Sequence, residues 1–114
     1  MSASWGDVNN DGRMDLYVGN MFSSAGHRIA SQAQFMPDVD SRTKAEFQRH
    51  ARGNSLFLNQ GTRDEADFDD VTLTAHVNLG RWAWGSMFVD LNGDGWEDIF
   101  VANGFITTEQ SGDL

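Results

Sequence analysis

Two short stretches of the sequence carry oxygen-bearing side chains at the same spacing. Asp90-Leu-Asn-Gly-Asp-Gly-Trp-Glu-Asp98 has Asp or Asn at positions 1, 3, 5 and 9, and so has Asp7-Val-Asn-Asn-Asp-Gly-Arg-Met-Asp15. A glycine stands at position 6 of each stretch, where it permits the left-handed backbone that a tight curl needs. Because carboxylates crowded into one loop repel one another, the pattern favours a cation between them.

The predicted ion is Ca²⁺, which accepts about six to eight oxygen ligands in a flexible geometry. The expected ligands of the first site are Asp7, Asn9, Asp11, the backbone carbonyl of Arg13, and Asp15. Those of the second site are Asp90, Asn92, Asp94, the backbone carbonyl of Trp96, and Asp98. The alternative is a pair of metal-free hairpin turns rich in Asn, Asp and Gly. Neither stretch is an EF-hand loop, because position 12 is Val18 or Val101 instead of Glu.

The segments beside both loops predict β-strands. Residues 16–18 and 99–102 follow the loops and residues 84–89 precede the second one, and all three are rich in β-branched and aromatic residues. Each loop is therefore expected to join two strands of a hairpin. Little more than Trp5-Gly6 precedes the first loop, so we expect that hairpin to lack most of its leading strand and the chain to begin inside a repeat.

Residues 23–53 predict a helical insertion. Ile29, Ala33 and Met36 recur at helical spacing and predict a helix over 27–36, which Pro37 ends. Asp40 is a suitable N-cap for a second helix over 41–52, and Gly53 stands where a helix commonly ends. The insertion is either a lid or partner-binding element, or a decoration that covers apolar surface, and we favour the decoration.

Two further strands are predicted over 54–59 and 68–73. The acidic residues there alternate between faces of the strand, so we expect solvated edge charges and no third metal site at Asp67, Asp69 and Asp70. Four aromatic residues form a cluster, namely Trp82, Trp84, Phe88 and Trp96. We expect them to pack between neighbouring sheets, and the alternative is a platform on which sugars stack. The three histidines, at 27, 50 and 76, have no ligand spacing and are expected at the surface.

A strand, the D-x-N-x-D-G-x-x-D loop, Leu/Ile-x-Val and a small-residue turn together resemble the FG-GAP repeat, also called the VCBS repeat, of integrin-type β-propellers. Residues 19–26, 51–61 and 80–85 further resemble bacterial FG-GAP proteins of the ASPIC/UnbV type. The resemblance implies antiparallel four-stranded propeller blades. It also implies extracellular or periplasmic display and a role in adhesion or scaffolding.

The predicted fold is mainly β, with about one and a half four-stranded blades and a short helical insertion. Residues 1–114 are taken as one repeat segment, divided into a first hairpin (1–22), the insertion (23–53), outer strands (54–80) and the next hairpin (81–114). A closed propeller needs about four to eight blades. We therefore expect either a fragment of a larger propeller or several copies that close a ring. The third and less favoured option is a small self-contained sheet that two calcium ions hold together.

Charge and composition limit the partners. The formal net charge is −9, which two Ca²⁺ would change to about −5, and only 8 Lys and Arg are present, so nucleic acid is excluded as a partner. No apolar run approaches the roughly 20 residues of a membrane span. No signal peptide is visible at the N-terminus, so export would require residues outside this sequence.

The sequence predicts a calcium-binding propeller module with a structural or interaction role, without catalytic activity. Carboxylates held ionised by Ca²⁺ are poor proton shuttles, and no catalytic motif is present. The expected partner is a protein, a glycan, further copies of the chain or missing blades. The alternatives are an accessory part of a larger secreted enzyme, and lectin-like carbohydrate binding.

Overall fold

The computed structural model describes residues 1–104 of a mainly β chain with two short helices. The elements are β1 (Ser2–Gly6), β2 (Asp15–Gly19), α1 (Ser24–Ala30), α2 (Ser41–Ala51), β3 (Ser55–Asn59), β4 (Phe68–Asp70), β5 (Ala83–Val89) and β6 (Asp98–Asn103). Strands β1 to β4 form one antiparallel sheet in that order, and β5 and β6 form a second, two-stranded sheet. The predicted mainly β architecture with a helical insertion is confirmed. No helix within residues 1–104 has both the length and the apolar character that crossing a bilayer requires.

The first hairpin is complete, and the expectation that it lacks most of its leading strand was wrong. β1 pairs with β2 along its full length, from Ser2↔Gly19 to Gly6↔Asp15. The sequence Ser-Ala-Ser-Trp-Gly has no β-branched residue, so its intrinsic strand preference is weak. Pairing with β2 forms the strand, as tertiary context commonly does.

The second hairpin repeats the register of the first, 83 residues later. Phe88↔Ile99 corresponds to Trp5↔Leu16, and Val89↔Asp98 corresponds to Gly6↔Asp15. The other three pairs of the first hairpin have counterparts at the same distance, Gly85↔Ala102, Ser86↔Val101 and Met87↔Phe100. The two loops therefore occupy equivalent positions in two equivalent hairpins.

The second hairpin packs against β1 through a close approach at Gly6. A Cβ atom on Gly6 would lie 2.3 Å from Glu97 Oε2 and 2.5 Å from the Phe88 ring, so only glycine fits without displacement. The Phe88 ring also meets the Tyr17 ring edge-on, with centroids 6.3 Å apart. At the other end of the strands, the Ser2 and Ser86 hydroxyl oxygens are 2.8 Å apart.

The buried centre of the four-stranded sheet contains polar side chains whose hydrogen bonds are satisfied. Asn54 donates through Nδ2 to the Tyr17 hydroxyl at 2.7 Å and accepts from the Asn20 backbone N–H at 2.8 Å. The Thr72 hydroxyl accepts from the Leu56 backbone N–H at 2.8 Å. Burial raises the pKa of Tyr17, although the hydrogen bond from Asn54 opposes that shift. These bonds connect the hairpin to the outer strands and give the buried polar side chains partners.

The first helix differs from its prediction. The Ser23 side chain accepts from the Gly26 backbone N–H at 2.8 Å, which caps a helix that begins at Ser24 and ends at Ala30. Met36 has a φ of 46°, outside the helical region, so the predicted span of 27–36 was wrong. The N-cap serine, which competes well for the first free N–H groups, determined the start of the helix more strongly than the spacing of apolar residues.

The second helix confirms its prediction. Asp40 accepts from the backbone N–H groups of Arg42 and Thr43, both at 3.0 Å, and Gly53 follows the helix with a φ of 112°. Strand β4 is shorter than the predicted 68–73. Past Asp70, the Thr72 side chain binds the backbone of Leu56 in place of a backbone partner.

Candidate metal centre

Both acidic loops fold around the carboxylate at position 1. Asp7 accepts from the backbone N–H groups of Asp11 at 2.9 Å and Gly12 at 2.8 Å. Asp90 accepts from the corresponding groups of Asp94 at 3.1 Å and Gly95 at 2.8 Å. Each carboxylate thus draws positions 5 and 6 back over the start of its loop, which is the curl expected from the sequence.

The residues at positions 3 and 5 are also bonded alike in the two loops. The amide of Asn9 donates to Asp11 Oδ2, and that of Asn92 donates to Asp94 Oδ2, both at 2.9 Å. Asp11 and Asp94 each accept from the backbone N–H at position 7, again at 2.9 Å. The predicted ligands at these positions therefore lie next to one another in both loops.

Left-handed backbone occurs where the sequence predicts it. Gly12 has a φ of 82° and Gly95 a φ of 86°, values that a residue with a Cβ rarely adopts. Position 4 is left-handed too, with a φ of 55° at Asn10 and 75° at Gly93. Asparagine tolerates that region better than most residues, so the first loop can adopt the same turn with Asn10 in place of a second glycine.

Position 9 differs in burial between the loops. Asp15 is fully buried, and it accepts from the Val8 N–H at 3.1 Å and from the Asn59 N–H at 2.9 Å. Asp98 is half-buried and accepts from the Leu91 N–H at 3.2 Å. Asp15 therefore joins its loop to β3. Within the described residues 1–104, Asp98 accepts a hydrogen bond only from its own loop.

The charge environment at position 5 also differs. The guanidinium of Arg13, at position 7, lies 2.7 Å from Asp11 Oδ2. Position 7 of the second loop is Trp96, which has no charge. Burial raises the pKa of Asp11, but hydrogen bonds from the Arg13 backbone and Asn9, together with the Arg13 charge, hold it below its ordinary value. Asp90 also has a lowered pKa, chiefly because it accepts the Gly95 N–H, with burial acting against the shift. The pKa shifts of both groups favour ionised carboxylates.

The oxygen donors of each loop suit a hard cation, and they include the neutral oxygens of an asparagine and a backbone carbonyl. Within residues 1–104, no group of three or more His, Cys, Asp or Glu side chains is arranged so that it could hold a metal ion. Acidic groups alone therefore do not form the site, and the asparagine and the backbone carbonyl at position 7 would have to complete it. A carboxylate offers about four lone-pair positions, so an aspartate that accepts one or two backbone N–H groups retains capacity for an ion. Oxygen donors of this kind are those that Ca²⁺ prefers.

The two loops lie side by side. Asn10 Nδ2 donates to the Gly95 carbonyl at 3.1 Å. Glu97, at position 8 of the second loop, reaches Gly6 just before the first loop. Its Oε2 is buried without a hydrogen-bond partner in the described part of the chain. No local pattern in the sequence indicated this contact, because it depends on how the hairpins pack.

The structure confirms some predictions for the aromatic cluster and the histidines and contradicts others. Phe88 packs between the sheets as predicted. Trp84 and Trp96 are 58% and 53% exposed, so the expectation that they pack between sheets was wrong for them within residues 1–104. Trp82 lies against Trp84, with ring centroids 6.2 Å apart. All three histidines are exposed, as expected.

Asp70 is exposed on the edge strand, as expected, but it is paired with two arginines, which the sequence did not indicate. Its Oδ2 accepts from Arg49 Nη2 at 2.8 Å and from Arg52 Nη2 at 2.9 Å. These bonds fasten the end of α2 to β4. The neighbouring Asp67 and Asp69 are exposed, as expected. The clustering of Arg49 and Arg52 in the sequence was the available signal, but it did not identify their partner.

Comparison with known proteins identifies a related family for the first part of the chain. Residues 1–32 match the family model of the FG-GAP repeat. The match includes β1, the first loop and β2, whereas the second loop lies outside it. No curated protein matches the chain, and no solved structure does. FG-GAP repeats are blades of β-propellers, in agreement with the antiparallel four-stranded sheet. Over its first 32 residues the chain is therefore similar to an FG-GAP repeat, and its second hairpin has the same strand register outside that match.

Proposed function

We propose that the chain is a calcium-binding β-propeller repeat module with a structural or interaction role. The observation that carries the proposal is the agreement between the two loops. The side chains at positions 1, 3, 5 and 9 share a common set of hydrogen bonds within their loops, although the loops lie 83 residues apart. Such agreement is expected of two sites built for one kind of ligand.

The proposed ligands are those expected from the sequence. In the first loop they are Asp7, Asn9, Asp11, the Arg13 carbonyl and Asp15, and in the second Asp90, Asn92, Asp94, the Trp96 carbonyl and Asp98. When bound, Ca²⁺ would supply positive charge between the carboxylates of each loop. The backbone N–H groups of Gly12 and Gly95 keep the position-1 carboxylates directed inward. The chain thus holds its ligands in place before an ion arrives, which reduces the ordering cost of binding.

The two sites are proposed to differ in affinity. In the first loop, Ca²⁺ would compete with the Arg13 guanidinium for Asp11. The second loop has no cationic side chain at that position. Because a cation near a ligand carboxylate weakens its attraction for a second cation, we expect the second loop to bind more tightly.

The role of the ions is proposed to be structural. Each loop joins the two strands of its hairpin, and Asn10 joins the loops to each other. Rigid loops at one edge of the sheets would form a defined surface for a protein or glycan partner, or for further blades or copies. The exposed side chains of Trp5, Trp84, Met87 and Phe100 offer apolar area for such contacts. No described group requires a catalytic role, and we propose none.

The resemblance to VCBS repeats, to integrin-type propellers and to bacterial ASPIC/UnbV-type proteins leads us to propose extracellular or periplasmic display. Calcium is plentiful outside the cell, where sites of modest affinity are filled. An accessory position in a larger secreted enzyme is consistent with the same module.

Calorimetric titration with Ca²⁺ tests the proposal. The expected result is two binding events per chain, one of which is lost in Asp11→Asn and the other in Asp94→Asn. Asp69→Asn is the matched control, since Asp69 is an exposed aspartate outside both loops, and it should bind two ions. Absence of calcium binding in a folded sample would refute the proposal, and so would equal loss of binding in all three variants.

A further inference from the structure

A cavity lies between α2 and the sheet, and none of its lining residues belongs to the acidic loops. It measures about 340 Å³ and is lined on the sheet side by Val18, Ser55 and Phe57. Val18 and Ser55 are register partners, and Phe57 is two residues further along β3, so the three share one face of the sheet. Arg49 and His50 of α2 cover this face, and Asn20 closes one side.

The ion-paired groups at and beside this cavity carry one more positive than negative charge, in a chain whose net charge is −9. They are Arg42, Arg49 and Arg52 against Glu46 and Asp70, of which Arg49 and Glu46 line the cavity. Arg49 and Arg52 both donate to the same oxygen, Asp70 Oδ2. The other oxygen, Oδ1, accepts from the backbone N–H and the hydroxyl of Thr72. One carboxylate therefore balances two guanidinium groups.

Both arginines have donors beyond the one that Asp70 accepts, and Arg52 shares Asp70 with the lining residue Arg49. A guanidinium has about five N–H donors, and the contact with Asp70 uses one from each arginine. Arg52 Nε is buried without a hydrogen-bond partner in the part of the chain that the structure describes. Glu46, which also lines the cavity, lies 3.4 Å from Arg42 Nε and is paired there. An anion is the ligand that this charge distribution favours.

The other walls indicate more than a bare inorganic anion. Asn20, which lines the cavity, donates through Nδ2 to the Gly53 carbonyl at 3.1 Å, and its side-chain oxygen is an acceptor. The Ser55 hydroxyl can donate or accept. Phe57, over whose ring the Arg49 guanidinium lies at 4.7 Å, and Val18 provide an apolar floor. A volume of about 340 Å³ exceeds what a small inorganic ion fills.

We propose that this cavity binds a small hydroxylated carboxylate, such as a sugar acid. The carboxylate lies at Arg49 and His50, the hydroxyl groups meet Asn20 and Ser55, and the carbon skeleton rests on Phe57. This is a ligand site separate from both acidic loops. It assigns a function to the helical insertion, whose basic end forms the roof of the cavity.

The test is an NMR titration of the isotopically labelled chain without added Ca²⁺, with glucuronate, glucose and inorganic phosphate as separate probes. Glucuronate should give saturable shifts at residues around the cavity, and glucose, which lacks the carboxylate, should give none. Phosphate should bind at least about tenfold more weakly than glucuronate, because it cannot use the apolar floor. Equal binding of glucose or of phosphate would overturn the proposal, as would the absence of saturable shifts with glucuronate.

Variants locate the site. Arg49→Gln should weaken glucuronate binding about tenfold or more, since it removes a charge-assisted pair. Arg63→Gln removes the same charge from an exposed residue that does not line the cavity, and it should leave binding unchanged. His50→Gln leaves the Asp70 contact intact and should weaken binding even if Arg49→Gln loosens the helix. Equal losses in the Arg63 and Arg49 variants would mean nonspecific attraction and would contradict the assignment.

Discussion

Asn10 donates its side-chain amide to the backbone carbonyl of Gly95 at 3.1 Å, across 85 residues of sequence. Both residues have left-handed backbone, with φ of 55° and 86°. The bond therefore joins the turning point of the first acidic loop to that of the second. Two loops that are equivalent in register therefore also contact each other directly, and we expect order in one loop to favour order in the other.

Replacing Asn10 with glycine should uncouple the loops. Glycine accepts a φ of 55° without strain, so the backbone is preserved while the inter-loop donor is lost. We expect a destabilisation of about 0.5–1.5 kcal/mol and weaker cooperativity between the two Ca²⁺ binding events in calorimetry. Gly93→Asn, which gives the second loop the residue of the first at the same left-handed position, is the control and should keep the cooperativity. Unchanged cooperativity in Asn10→Gly would show that the contact does not couple the sites.

Replacing Asp94 with asparagine should affect stability only when calcium is present. Asparagine retains an oxygen that can accept the Trp96 N–H, but it loses the charge that attracts a cation. Calcium affinity at the second loop should fall by about tenfold or more, and the melting temperature should fall in calcium but not in chelator. Equal destabilisation in calcium and in chelator would mean that Asp94 serves only the fold of its loop.

Replacing Gly6 with valine should detach the second hairpin from the first sheet. The added Cβ would lie 2.3 Å from Glu97 Oε2 and 2.5 Å from the Phe88 ring. Such overpacking costs about 1–3 kcal/mol, measurable by chemical denaturation. In Gly85→Ala the new Cβ would lie 3.9 Å from the nearest atom, on Ala102, an ordinary contact, so that variant should be close to wild type. A stable Gly6→Val chain would show that the hairpins do not pack as closely as the structure describes.

The contact of Asp70 with Arg49 and Arg52 should depend on pH. Burial raises the pKa of Asp70, but hydrogen bonds from Thr72 and Arg52 and the charge of Arg49 hold it below 3.8. A carboxylate with a lowered pKa stabilises the fold fully above its unfolded value and loses that contribution as the pH falls through the folded value. Asp70→Asn should therefore cost about 1–2 kcal/mol at pH 7.

The difference between wild type and Asp70→Asn should then shrink as the pH falls below 3.8, in thermal melts of both proteins over that range. Asp69→Asn, at the neighbouring exposed position, should show no such difference at any pH. A difference between wild type and Asp70→Asn that stays constant into acid would contradict the ionic contact.

Local patterns in the sequence predicted most of the fold. The loop pattern fixed the positions of Gly12 and Gly95 and of the strands around them, because left-handed turns and β-branched runs are local requirements. Asp40 and Gly53 predicted the limits of α2 for the same reason. The family resemblance agreed with the antiparallel four-stranded sheet and, over residues 1–32, with the FG-GAP repeat.

Features that depend on contacts between distant segments were not predictable. β1 is a strand because β2 pairs with it, and nothing in Ser-Ala-Ser-Trp required that. The partners of Asp70 lie 21 and 18 residues away in an inserted helix. The Asn10–Gly95 bond and the close approach at Gly6 arise from packing of two hairpins whose sequences meet only in the folded chain.

Thermal unfolding in Ca²⁺, in Mg²⁺ and in chelator, with the molecular mass followed by light scattering, tests the central claim most directly. The proposal that the two loops are structural calcium sites predicts a clear rise in melting temperature with Ca²⁺. The rise with Mg²⁺ should be much smaller, because Mg²⁺ requires a tighter octahedral arrangement of ligands. A folded chain with the same melting temperature in all three solutions would contradict the proposal and leave the loops as metal-free hairpin turns.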